Sequence, residues 1–366
     1  MSIVINHVII HKLNKERNEP IEASTIRPAV LSANNESIVR VVESISELYG
    51  KKNNSAQYGV FIDGEGSGNF PREFSNYTEN LSQESFMALA ELAMGEIYGK
   101  AKDQPLSTGG FILFVDYLDH KNNRSLITAM VKQKAGFRIV DLNIEDLEYI
   151  DLSGLHQAAK IGFDRFDAYQ NASEIDKQEL NYLSFVSPKS NKSAAGYFIS
   201  ALGCQAGTPS AKATRFAANA TGQFFKKHEE LVSNANDVNR KVRDYLKEKM
   251  DSGSPAKLSD IEDIAREFFP KGEEYEEKAE YFANELYAHL NGEDVQLPNE
   301  FTVNKGAYNK SFFVNYKSEN LSISFEKDDL GITSDAKIYF SEGENKLIIH
   351  ELPEALIEQI KASLKR

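Results

Sequence analysis

The chain has 366 residues, which is longer than one compact domain of usual size, so two or three structural units are expected. Hydrophobic residues make up 41% of it, enough to form cores. The N-terminal residues lack the basic start and cleavage site of an export signal, and no window approaches the roughly 18 apolar residues of a membrane span. The single cysteine, Cys204, excludes an internal disulfide framework and a multi-cysteine metal site. We therefore expect a cytoplasmic protein that contacts no membrane and binds no cofactor.

The net charge of −13 opposes binding of nucleic acid by the chain as a whole, because phosphates require positive potential. The charge is unevenly distributed, however. Residues 187–250 contain 11 Lys or Arg and 5 Asp or Glu, whereas residues 251–300 contain 4 and 14. A basic segment is thus followed directly by a strongly acidic one.

Residues 1–190 predict an N-terminal α+β domain in which strands alternate with helices. After an opening strand, Asn35 and Ser82 are each placed to cap a helix that has an apolar face. Residues around 152–166 give no clear assignment. The other strands are predicted at 58–62, 111–117, 125–131, 136–151 and 181–187, with 111–117 and 125–131 forming a hairpin.

Residues 191–295 predict a helical segment, basic to about residue 250 and acidic beyond it. The cluster 251–255 has the composition of a linker. Residues 296–366 predict a C-terminal α+β domain. The expected fold class is therefore α+β, with an N-terminal mixed sheet and flanking helices, a central helical segment, and a small C-terminal antiparallel sheet with a terminal helix.

Two motifs that suggest chemistry are weak. The glycine-rich stretch Gly64–Gly68 lacks the spacing of a dinucleotide-binding loop and is followed by Asn69-Phe-Pro71 rather than by a helix start, so a flexible surface loop is predicted. Cys204 has no neighbouring histidine to activate it and is predicted to be a packed thiol.

Three polar residues at the end of an apolar strand form another candidate site. Asp116, Asp119 and His120 could bind a divalent metal or act as an acid–base pair. The same residue types also suit a solvated hairpin turn, which is the favoured interpretation. No catalytic residues and no metal ligands are therefore assigned.

The basic segment is the strongest functional signal. A polar loop that contains Lys189 and Lys192 lies directly before a helix N-terminus, where backbone amides favour a phosphate. About five phosphate contacts would give strong, salt-sensitive binding, and the scarcity of aromatic residues in the loop favours duplex DNA over a stacked single strand. An ordinary solvated helix face explains the set about equally well. The candidate DNA-binding residues are Lys189, Lys192, Lys212, Arg215, Lys226, Lys227, Arg240, Lys241 and Arg243.

Several segments together carry a family resemblance. They are Ile5–Leu13, Gly109–Tyr117, Tyr182–Phe185, Tyr197-Phe198, Leu202-Gly203, Phe312–Phe325, Asn345–Ile349 and Pro353–Ile360. In this order, over nearly the whole chain, the sequence resembles the NdpA-type, YejK-like family of nucleoid-associated proteins.

The resemblance implies a bacterial protein of the cytoplasm and nucleoid that organises the chromosome and binds double-stranded DNA with little sequence preference. A type II topoisomerase is a candidate partner from the same resemblance, which does not imply an established active site. In the family, the loop after Tyr182–Phe185 is richer in basic residues, including arginine, whereas this chain has only Lys189 and Lys192 there. Because lysine lacks the bidentate fork of arginine, the departure weakens the expectation of tight binding through this loop.

Two other hypotheses stay open. The basic helices could pair with the acidic segment 251–300, within the chain or across an expected homodimer, in a protein-interaction module that does not bind DNA directly. Such a module could serve dimerisation or adapt a topoisomerase to its partner. An enzyme that uses Asp116 or Asp119 has the least support, so no enzymatic activity is expected.

Overall fold

The structure, a computed structural model, describes residues 3–52, 54–62, 64, 67–152, 157–186, 192–207 and 210–365, without the side chains of residues 192–195 and 206. The predicted α+β class is confirmed. The predicted domain boundaries after residues 190 and 295 stay predictions.

A large sheet forms the first part of the molecule. Its strands are β1 (Val4–Leu13), β2 (Gln57–Phe61), β3 (Gly110–Leu118), β4 (Arg124–Val140), β5 (Asn143–Asp151), β6 (Gln157–Gly162), β7 (Leu183–Val186) and β8 (Cys204–Ala206). They lie in the order β1-β3-β4-β6-β7-β2-β8, and β5 pairs with the far end of β4. Every described pair of neighbouring strands in this sheet is antiparallel. The mixed sheet that the alternation of strands and helices predicted is therefore not found among the described strands of this sheet.

Helices cover both faces of this sheet. They are α1 (Glu36–Leu48), α2 (Phe70–Glu79), α3 (Gln83–Lys102), α4 (Phe163–Gln170), α5 (Glu174–Lys177) and α6 (Lys192–Ala201). Because side chains alternate along a strand, Ile112 and Phe114 of β3 join the core that contains α2 and α3, whereas Leu113 and Val115 join the core under α1.

The predictions of where helices begin were partly correct. Asn35 and Ser82 cap α1 and α3 as predicted, and each side chain accepts hydrogen bonds from backbone N–H groups of the first turn. The expectation that no helix follows the glycine-rich stretch was wrong, because α2 begins at Phe70. Pro71 fits there, since an N–H in the first turn of a helix has no partner within the helix. The described residues of Gly64–Gly68 are Gly64, Ser67 and Gly68.

A second, helical part follows. Its elements are α7 (Ser210–Lys226), α8 (Ala235–Ser252), α9 (Leu258–Arg266), α10 (Glu276–Asn291), α11 (Lys305–Phe312) and the short pair β9 (Ala256–Lys257) and β10 (Glu300–Phe301). The apolar faces of α7 to α11 share one hydrophobic core. The predicted linker at 251–255 overlaps the end of α8, where Gly253 adopts a left-handed conformation.

The C-terminal part contains two small sheets and a helix. Its elements are β11 (Phe313–Lys317), β12 (Ser322–Glu326), β13 (Leu330–Gly331), β14 (Ile338–Ser341), β15 (Lys346–Ile349) and α12 (Glu354–Leu364). Strands β11 and β12 pair with each other, and β14 lies between β13 and β15. The β13–β14 pair is parallel, whereas the other two pairs are antiparallel.

Hydrogen bonds join the helical part to the start of strand β2 in the large sheet. The side chain of Asn291, at the end of α10, bonds both backbone groups of Ala56, and the Tyr58 hydroxyl donates to the Asn291 carbonyl at 2.6 Å. Lys52 also pairs with the buried Glu262 at 2.8 Å. These contacts hold α10 against the start of β2 and α9 against the segment before it. Among the described residues, none of the helices has the length and apolar character to cross a membrane.

Candidate nucleic-acid interface

The predicted basic residues divide sharply by environment. Lys189 lies outside the described residues, and Lys192 begins α6 but its side chain lies outside them too. The seven others belong to α7, to α8 and to the turn between these two helices.

Lys226 and Lys227 occupy the C-terminal end of α7. Both side chains are exposed, and neither forms an ion pair with another described residue. Cations at this end of a helix are favoured by the helix dipole, so their position alone does not require a ligand. After His228 come the acidic Glu229 and Glu230, of which Glu230 is paired with Lys278 at 2.5 Å. Two cations are therefore free to meet an anion here.

An aromatic cluster anchors this end of α7. The Phe224 ring lies 4.5 Å from that of His228 and 5.9 Å from that of His289, measured between ring centroids. Burial, and next the positive charge of Lys227, lower the pKa of His289 below its usual value. Lys226 and Lys227 therefore follow a packed aromatic cluster, and the charge of Lys227 helps to lower the pKa of His289.

Arg240 and Lys241 lie on α8 and have carboxylate partners. Arg240 pairs with Asp237 at 2.6 Å, and Lys241 pairs with Glu267 and lies over the Phe268 ring. All four charged side chains are about half exposed or more. Exposed pairs of this kind contribute only about 0–1 kcal/mol, so a phosphate could replace either carboxylate.

Arg243 has a different environment from its neighbours on α8. Its side chain is only 7% exposed, pairs with Asp328 at 2.6 Å and lies over the Phe312 ring. The guanidinium therefore joins α8 to the C-terminal part and presents little surface to a ligand.

Lys212 and Arg215 face the junction with the large sheet. Lys212 donates to the Gln296 side chain at 2.6 Å, and burial lowers its pKa to about 8. Arg215 pairs with Glu179. Both cations are partly buried; Lys212 bonds the segment between α10 and β10, and Arg215 bonds the segment before β7, so neither belongs to the α7–α8 turn.

The acidic cluster at the β3–β4 hairpin is not one site. Asp119 and His120 belong to the polar turn as predicted, and Asp119 accepts hydrogen bonds from the backbone N–H groups of Lys121 and Asn123. Asp116 was wrongly assigned to that turn, because it is fully buried in β3. It pairs with Arg124 at 2.6 Å and also accepts from Asn6 and Tyr77. The buried carboxylate thus has three partners and a structural environment.

Cys204 is a packed thiol, as predicted. It is buried in the core between the sheet and α6, and burial raises the pKa of its thiol. A thiol of this kind is a poor nucleophile.

The sequence reasoning missed a protruding two-stranded arm. From Lys132 onward β4 pairs with β5, through to Val140 opposite Asn143, and we call residues 132–151 the arm. Phe137, Ile139 and Ile144 lie on one face of it and are 75–77% exposed. Unlike the central strands, this segment alternates apolar and charged residues, which was the available signal.

The tip and charge of the arm are also distinctive. Asp141 and Leu142 form the turn with positive φ angles, and Leu142 is 96% exposed. The arm contains three basic residues and five acidic ones. Its potential therefore opposes DNA, although a two-stranded ribbon has the width of a major groove.

Comparison with known proteins decides the family. The family model described as nucleoid-associated protein YejK matches residues 9–357. The chain belongs to this family. Its relatives include nucleoid-associated proteins of Metapseudomonas resinovorans and of Pseudomonas fluorescens strain Pf0-1, each 26% identical over 358 residues. A nucleoid-associated protein of Pseudomonas putida strain W619 is 27% identical over 360 residues. These matches cover 98% of this chain and 98–99% of each relative.

The YejK family match extends from β1 into α12, so it includes the arm, the α7–α8 turn and the C-terminal sheets. The resemblance seen in the sequence is thus confirmed over nearly the whole chain. Family membership makes this a bacterial nucleoid-associated protein of the α+β class.

Proposed function

We propose that the protein binds double-stranded DNA, with little sequence preference, through Lys226, Lys227, Arg240 and Lys241, which we call the α7–α8 basic surface. Membership of a nucleoid-associated family over nearly the full chain is the observation that carries this proposal. The proposed location is the nucleoid, in a non-enzymatic role.

The environment of each cation supports this choice of residues. Lys226 and Lys227 are exposed and have no described ion-pair partner, so binding a phosphate breaks no existing bond. Arg240 and Lys241 would exchange an exposed carboxylate for a phosphate at little cost. Lys189 and Lys192 remain candidates from the sequence, whereas the buried Arg243 and the junction residues Lys212 and Arg215 contribute less.

The positions of these cations along the two helices suit a nucleic-acid backbone. The Asn239 side chain donates to the Ala218 carbonyl, so the turn of α8 that carries Arg240 and Lys241 lies at the level of the middle of α7. Lys226 lies eight positions beyond Ala218, or about 12 Å along the helix axis. Phosphates follow one another about every 3.4 Å of duplex axis on each strand, so the surface can meet several of them.

Fluorescence anisotropy with a labelled duplex tests the proposal. Lys226→Glu/Lys227→Glu is expected to weaken binding by at least about tenfold at roughly 50 mM salt, because it removes two phosphate contacts and adds two repulsive charges. The matched control is Lys100→Glu/Lys102→Glu, which makes the same charge change at the end of another helix, α3, where both lysines are exposed.

Two outcomes would overturn the proposal. The first is a wild-type protein that does not bind duplex at low salt. The second is an equal loss of affinity in the α7 and α3 variants, since that result would assign binding to overall charge rather than to the α7–α8 basic surface.

A second candidate function is that of a protein adaptor, and the arm favours it. Its apolar face would remain in water without a partner, and its net negative charge selects a protein surface with flanking cations rather than DNA. The family resemblance makes a type II topoisomerase the partner to test.

Binding of the purified topoisomerase subunits, measured by biolayer interferometry, tests the adaptor function. Phe137→Ser/Ile139→Ser should lower the affinity at least about tenfold, because central apolar anchors dominate such interfaces. Ile175→Ser, at another exposed apolar position, should have no effect. An arm variant that binds as tightly as the wild type would contradict the adaptor role and leave the DNA proposal untouched.

A further inference from the structure

The last part of the chain leaves its apolar side chains in solvent. After Phe312, Ile338 is the only buried residue among those that the structure describes. Ten or more large apolar side chains of this part are exposed, among them Ile332 at 83% and Leu364 at 79%. A sheet or helix normally buries its apolar face against another layer, so this part lacks a covering element.

Helix α12 has the clearest uncovered stripe. Leu356, Ile360 and Leu364 are four residues apart, so they lie along one face, and all three are exposed. No residue of α12 is buried. A helix of 11 residues is marginal in water without packing partners, so its apolar stripe needs a surface to contact.

The charges of α12 indicate which surface that is. The acidic Glu354 and Glu358 lie in its first half, Lys361 lies in its second half, and Lys365 caps its C-terminal end. Glu358 and Lys361 pair within the helix at 3.4 Å, but both side chains are largely exposed and can also meet a second copy. Two copies packed antiparallel place each acidic half against a basic half and also oppose the two helix dipoles favourably. A parallel pair would place like charges together. The helix is therefore complementary to itself in one direction only.

We propose that two copies of this chain associate through α12, packed antiparallel about a two-fold axis at Ile360. Leu356 of one copy then lies against Leu364 of the other, as an isologous interface requires. This interface uses no residue of the α7–α8 basic surface, so the proposal does not depend on DNA binding.

The β14–β15 sheet can extend this interface. Phe340, Leu347 and Ile349 lie on one face of it, because Phe340 pairs with Leu347 and Ile349 is two residues further along the same strand. All three are exposed. A helix pair alone falls below the roughly 1,600 Å² of a standard interface, so we expect a dissociation constant in about the micromolar range.

Single cysteines test the geometry, since the one natural cysteine, Cys204, is buried. Under oxidation Ile360→Cys should form a disulfide-linked dimer, because residue 360 meets its own copy at the two-fold axis. Leu356→Cys and Leu364→Cys should not cross-link alone but should do so when mixed. Absence of both cross-links would overturn the proposal, as would a Leu356→Cys protein that cross-links with itself.

Charge variants test the same interface without cysteines. Glu354→Lys and Lys365→Glu, which lie eleven positions apart and cannot pair within one helix, should each raise the dissociation constant measured by sedimentation at least about threefold, and the double variant should restore it. Lys317→Glu, on exposed β11, controls for net charge, and circular dichroism checks folding. Unchanged association in both single variants would contradict the pairing. So would a monomeric wild type that pellets with phosphatidylglycerol vesicles through Ile360, which would make a membrane the occupant.

Discussion

The large sheet and the C-terminal part differ in how far they bury their side chains. In the sheet even an ionisable group such as Asp116 or His11 is buried, and each has a hydrogen-bond partner. After Phe312 most of the large apolar side chains are exposed, and Ile338 is the only buried residue among those described. The sheet residues are thus explained by folding of this one chain, whereas the C-terminal residues are explained by contact with something outside it.

The largest effect on stability is expected from a substitution at Asp116. Asp116→Ala should lower the free energy of unfolding by about 3–5 kcal/mol, because it leaves Arg124 without its buried partner. Urea unfolding measures this loss. Asp119→Ala, in the polar turn two residues beyond β3's buried end, is the control and should cost about 1 kcal/mol. Equal losses in the two variants would show that Asp116 is no more structural than the turn.

His11 gives a smaller, pH-dependent effect. Burial lowers its pKa to about 4, so between about pH 6.5 and 4 the unfolded chain binds a proton that the folded chain excludes. The neutral His11 ring makes its full contribution to the free energy of unfolding above about pH 6.5, and this contribution is lost as the pH falls to about 4. His11→Asn keeps an acceptor for the Arg27 N–H but does not titrate.

The measurement is the difference in unfolding free energy between wild type and His11→Asn. It should shrink by up to about 3 kcal/mol from pH 6.5 to pH 4. A difference that stays constant over this pH range would mean that the His11 ring is not held neutral by burial.

The smallest effect is expected in the C-terminal part. Leu364→Ala should change the unfolding free energy of the monomer by less than about 0.5 kcal/mol, because the side chain is already exposed. Leu89→Ala, at a buried position of α3, should cost about 2–5 kcal/mol. Thermal unfolding of dilute protein compares them, and a comparable cost at Leu364 would show that α12 is packed within its own chain.

Local chemistry made much of the fold predictable. The caps at Asn35 and Ser82 and the hairpin of β3 with β4 depend on neighbouring residues, so they could be read from the sequence. The start of α2 was missed because Gly64–Gly68 and Pro71 suggested a continued loop. Asp116 was assigned to a turn because its burial depends on Arg124 and Tyr77, which come from elsewhere in the fold.

The candidate site was predictable only as a set of charges. Whether a cation is free depends on which carboxylate the fold brings near it, as with Arg243 and Asp328 or Lys241 and Glu267. These partners are distant in sequence, so spacing along the helices could not separate them from the free Lys226 and Lys227.

The most direct test of the account is the salt dependence of duplex binding. With four cations on phosphates, the logarithm of the wild-type association constant should fall with the logarithm of salt concentration with a slope of about −3 to −4. The slope of Lys226→Glu/Lys227→Glu should be smaller in magnitude by about two, and that of Lys100→Glu/Lys102→Glu should equal the wild type. A slope that is the same in all three proteins, or no binding at any salt concentration, would contradict DNA binding by the α7–α8 basic surface.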